Sequence, residues 1–145
     1  MDDATLCNAV ERLIRGDVSQ VSVVRSVSHS TLERSCSNMT FELTNIAVVE
    51  VLQRLADGDI TDAEAQLWAS FVQKGFAEGA FDGPIRPLQI DWMIEHEDAI
   101  AEALSRLDEL GDVIDGTIDA SEIRSLIDSL GGSKLLAETH IRIGV

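Results

Sequence analysis

Carboxylates are the residues in this sequence best placed to do chemistry, and their spacing decides which chemistry. There are 26 Asp and Glu against 11 Lys and Arg, a formal charge of -15 over 145 residues. Asp57, Asp59 and Asp62 fall close together, as do Asp108, Glu109, Asp112 and Asp115. From Asp115 to Glu122 the order Asp-Gly-Thr-Ile-Asp-Ala-Ser-Glu carries the glycine turn, the apolar residue and the closing Glu of the second half of a calcium-binding loop. The first half fails, because Gly111 and Val113 stand where the ion needs side-chain oxygens. The same half-pattern at Asp57 to Glu64 fails at Gln53 and Leu55, so no metal site is expected. Paired carboxylates can also divide acid and base roles, but acids at this density lie in pairs whatever their purpose.

Other reactive groups give less. His96, between Glu95 and Glu97, lacks a second His one helical turn later, since Ile100 fills that place. Cys7 and Cys36 have no Cys or His neighbours at ligand spacing and read as two reduced, partly buried thiols, with a disulfide left open. No Ser sits in a nucleophile elbow, and no glycine-rich loop is built for phosphate. The reading is therefore a protein that is not an enzyme and needs no cofactor.

Acidic residues act through what they attract. Residues 1–36 hold four Arg (Arg12, Arg15, Arg25, Arg34) and five acids (Asp2, Asp3, Glu11, Asp17, Glu33), so the excess of acid lies beyond residue 36. Such a surface repels nucleic acid and anionic membrane, and it draws in basic partners at a rate that salt reduces. Solubility is the plainer role for it. The N-terminus has neither a basic region nor an apolar run, and no stretch of eighteen apolar residues occurs, so a cytoplasmic location without a membrane partner is expected.

The elements that position these groups read as helices. Residues 4–15 place Leu6, Val10, Leu13 and Ile14 on one face. Residues 44–55 do the same with Ile46, Val49, Leu52 and Leu55, and the next helix carries Leu67, Trp68, Phe71 and Val72. Ile100, Leu104, Leu107 and Leu110 form a stripe on a helix starting near Glu95, and Ile123, Leu126, Ile127 and Leu130 form another. Thr61 with Glu64, and Asp119 with Glu122, have the spacing of reciprocal capping boxes. Three joints share a pattern of Gly, a β-branched residue and a capping residue: Gly16-Asp17-Val18-Ser19, Gly58-Asp59-Ile60-Thr61 and Gly116-Thr117-Ile118-Asp119. Leu88, Ile90, Trp92 and Ile94 alternate with polar residues and predict a short extended segment over 88–94. The long loop over 75–87 contains Phe76 and Phe81 among glycines, and two phenyl rings there must fold back on the core or meet a partner. The fold expected is all-α: an antiparallel bundle of about five or six helices in a single acidic domain over 1–145. Its N-terminal helices occupy 1–43, its core helices 44–130 and its tail 131–145.

Two local resemblances give this frame a function. Val27-Ser28-His29-Ser30-Thr31-Leu32-Glu33-Arg34 looks like the turn and recognition-helix start of helix-turn-helix repressors. That implies a DNA-binding regulator using residues 21–39, with Ser28, Ser30, Thr31 and Arg34 toward the nucleic acid. Read on its own, His29 is expected at an exposed turn. The overall negative charge opposes the phosphate contacts such binding needs, which makes this the second choice. Residues 48–130, with Leu55-Ala56-Asp57-Gly58-Asp59-Ile60-Thr61-Asp62-Ala63-Glu64, Trp68 and Leu107-Asp108-Glu109-Leu110-Gly111-Asp112, resemble bacterial immunity proteins of the colicin D type. That resemblance implies a small acidic helical inhibitor that occupies the nuclease site of a basic toxin. Asp57, Asp59, Asp62, Asp108, Glu109, Asp112 and Asp115 would form its anionic face, with Phe76 and Phe81 as apolar anchors.

Overall fold

The computed structural model describes residues 2–77, 86–111 and 116–132. Phe81, Asp112, Asp115, most of the 75–87 loop and the tail beyond residue 132 therefore lie outside the described residues. Within them the chain is mostly helical, with seven α-helices and a two-stranded sheet.

Helix α1, Asp3–Ile14, starts where Asp2 accepts a 2.7 Å hydrogen bond from the Thr5 amide, and buries Leu6, Val10, Leu13 and Ile14 as its spacing predicts. Gly16 then turns the chain at φ +107, where a Cβ would stand 3.1 Å from the Ala47 carbonyl oxygen. A 3-10 turn at Val18–Gln20 leads into two short helices, α2 (Val21–Arg25) and α3 (His29–Ser35). These raise the count above the five or six expected, because the mixed pattern of residues 21–39 is divided by the Ser26-Val27-Ser28 turn.

Strand β1, Thr40–Leu43, was not foreseen. It buries Phe41 and Leu43 and pairs in parallel with β2, Gln89–Trp92, in register Thr40 with Gln89 through Leu43 with Trp92. The extended segment expected over 88–94 is thus β2. Parallel strands need a long crossover, and helices α4 (Asn45–Ala56) and α5 (Asp62–Lys74) lie between them in the chain. Helices α6 (Glu97–Asp108) and α7 (Ala120–Ser129) complete the described order.

Val48, Leu52, Trp68, Leu104, Leu107 and Ile127 share one core with residues of α1 and α3. One expected stripe shifts: Ile46 is 59% exposed, while Ala47, Val48 and Val51 are buried. The reason is that α4 contacts α5, α6 and α7, so more than one side of it is covered and the inward set rotates away from Ile46. Buried polar groups tie the helices together. The Trp68 indole donates to the Leu13 carbonyl at 2.6 Å, and the Asn45 amide donates to the Leu130 carbonyl at 2.9 Å. Gln66 of α5 donates to the Asp108 carbonyl at 3.2 Å, which sets the first half of α5 beside the end of α6.

Candidate functional site

That last contact assembles the candidate site. Asp62 stands one helical turn before Gln66, so the joint of Asp57, Asp59 and Asp62 lies at the same end of the molecule as Asp108 and Glu109. The first three are exposed, the last two half-buried. The joint is held by local chemistry. Thr61 and Glu64 form the reciprocal capping box, with bonds of 3.1 and 2.9 Å, and Ile60 is buried beneath them.

The second capping pair behaves differently. Asp119 accepts from the Glu122 amide at 2.8 Å, but the Glu122 carboxylate pairs with Arg106 instead of reaching back. Arg106 also meets Glu109 at 3.3 Å and donates to the Thr117 carbonyl, so this cation bolts α6 to the start of α7. A charged partner outcompetes a neutral amide for a carboxylate, which explains why the expected box opens.

Arg106 pairs with Glu109 and Glu122. Among the described residues Asp57, Asp59, Asp62 and Asp108 form no ion pair, and the one side-chain bond at these carboxylates is from the Gln53 amide to Asp57 at 3.0 Å. Four carboxylates that form no ion pair among the described residues give this end a negative field.

Beside this end runs a cavity of about 340 Å³ between α2, α5 and the end of α6. Val24, Leu67, Phe71 and Phe76 give it apolar walls, and Arg25, Lys74 and Asp108 line it as well. Two residues singled out in the sequence, Phe76 and Asp108, thus share one depression. Phe76 is half-buried, its ring set edge-on to His29 with centroids 6.1 Å apart, so it folds back toward the core as it lines the groove. Arg25 and Lys74 were not singled out as site residues. Only the fold brings them together, since they lie on helices far apart in sequence.

The helix-turn-helix segment forms two helices and a turn, but its polar residues are engaged locally. Ser28 caps α3, accepting from the Thr31 amide at 3.3 Å, and its hydroxyl lies 3.1 Å from that of Ser30 and 2.9 Å from that of Thr31. His29, expected at an exposed turn, is only 2% exposed. Its Nε2 lies 2.7 Å from the Arg86 carbonyl. Arg34 is exposed.

Among the described residues no three His, Cys, Asp or Glu side chains gather at metal-binding distance, and no helix is long and apolar enough to cross a membrane. Comparison of the chain with protein-family models, curated proteins and solved structures gave no match.

Proposed function

We propose that this protein is a non-catalytic acidic binding module, a helical bundle that inhibits a basic nuclease by standing in for the charge of its nucleic-acid substrate. The observation that carries the reading is the end where exposed Asp57, Asp59 and Asp62 and half-buried Asp108 form no ion pair among the described residues, beside a groove with apolar walls. Substrate phosphates and these carboxylates present the same sign of charge, so a nuclease cleft lined with Lys and Arg is attracted to both. Steering brings the partners together, and an apolar side chain of the nuclease seated against Phe71 and Phe76 slows their separation. The sequence resemblance to colicin D-type immunity proteins points the same way.

The test is co-purification followed by an activity assay. Tagged protein is used to capture partners from the native host, beside a variant with Asp57, Asp59, Asp62 and Asp108 all changed to Lys. The reading expects a basic nuclease that only the unaltered protein captures and whose cleavage of RNA or DNA falls when the two are mixed. Capture of a specific DNA fragment, lost on changing Thr31 and Arg34, would overturn it in favour of the helix-turn-helix regulator.

A further inference from the structure

Cys7 and Cys36 are distant in sequence, yet the fold sets their sulfurs 3.1 Å apart, where the middle of α1 meets the end of α3. The two sites differ in access. Cys36 is 2% exposed, whereas Cys7 is half-exposed and directs its thiol to the Ser35 carbonyl at 2.8 Å. The surroundings hold the pair in place, because the Ser35 hydroxyl donates to Asp3 at 2.8 Å and thereby ties the last residue of α3 to the first of α1. A sulfur–sulfur bond is about 2.05 Å long, so bond formation asks for closure of roughly an ångström between side chains already in contact.

We propose that Cys7 and Cys36 are a thiol-oxidation site that closes to an intramolecular disulfide when the protein meets a disulfide oxidant such as oxidised glutathione. The Cys7 thiolate attacks one sulfur of the oxidant, forming a mixed disulfide and releasing one glutathione thiol. Cys36 then loses its proton and attacks the Cys7 sulfur, and the second glutathione leaves as a thiol. The two cysteines give up two electrons and two protons, and the oxidant takes up both. The order follows from access, since the exposed sulfur meets the oxidant and the buried one resolves the adduct. Burial, followed by the hydrogen bond with Cys7, pushes the Cys36 thiol up to about 12. As pH rises the thiolate fraction of Cys36 grows, and the resolving step speeds up.

The bond would close a loop that contains α2 and α3. Constraining that loop in the unfolded chain raises the melting midpoint by on the order of 10 °C.

The folded protein is incubated with oxidised glutathione, then denatured, alkylated and mapped by mass spectrometry, with melting followed in parallel. The expected product is a monomer lighter by two hydrogens, with Cys7 linked to Cys36, no alkylatable thiol and a raised midpoint that dithiothreitol reverses. Cys36→Ala is expected to stop at a glutathione adduct on Cys7. Two thiols still free after prolonged incubation, a lasting adduct on the unaltered protein, Cys7-linked dimers, or a disulfide that leaves the midpoint unchanged or lower would each overturn the proposal.

Discussion

His29 has a carbonyl oxygen as its Nε2 partner, and a carbonyl only accepts, so Nε2 carries a proton. Its Nδ1 is buried with no hydrogen-bond partner among the described residues. The ring also meets Phe76 edge-on, so His29→Ala removes both a buried hydrogen bond and aromatic packing. A loss of about 1–3 kcal/mol is expected in urea unfolding. Trp68 carries a comparable bond, and Trp68→Phe keeps most of the ring while leaving the Leu13 carbonyl without its indole donor, for a loss of about 1–2 kcal/mol by the same measurement. Asp17 links a residue to pH. The Ser19 hydroxyl, ahead of Gln20, the Ser19 amide and Arg12, holds its carboxyl below the ordinary value of 3.8. A carboxyl with a lowered folded value stabilises the fold above the unfolded value and ceases to do so as pH falls through the folded one. Asp17→Asn should therefore lower the melting midpoint at pH 6, and the gap to the unaltered protein should close as pH drops below about 3.8. Of these three residues only Trp68 could be placed from sequence, because an aromatic stripe at helical spacing reports burial, whereas the partners of a His or an Asp are set by tertiary contacts.

Elements with one apolar face were legible in the same way. The stripes of α1, α6 and α7 lie buried where their spacing puts them. β1 was not legible: Phe41 and Leu43 alone make too brief an alternation, and its pairing with β2 is visible only in three dimensions. The Thr61 box, formed as its spacing required, should lose about 1 kcal/mol in Thr61→Ala, measured by denaturant unfolding. Gly75 ends α5 at φ +77, and a Cβ there would lie 2.7 Å from the Leu88 carbonyl oxygen. Gly75→Ala is thus expected to cost more than the 1 kcal/mol typical of backbone strain alone, and to loosen the approach to β2, readable as faster amide exchange at Gln89–Trp92.

At the scale of the whole molecule what matters is charge and where it gathers. Sequence alone grouped Asp57, Asp59 and Asp62 with Asp108 and Glu109, and Gln66 bonding to the Asp108 carbonyl now puts those two groups at one end. It could not foresee that Arg106 would bind Glu109 and Glu122, nor that Arg25 and Lys74 would line the groove beside the acids, since all of these depend on which helices pack together. The most direct test of the central claim is the association rate between this protein and a basic nuclease recovered in the capture experiment proposed above, followed at rising salt for the unaltered protein and for the variant with Asp57, Asp59, Asp62 and Asp108 changed to Lys. Steering by the acidic end predicts a rate that falls steeply with salt and drops by at least tenfold in the variant at low salt. Equal rates for the two proteins, with the same shallow salt dependence, would contradict it.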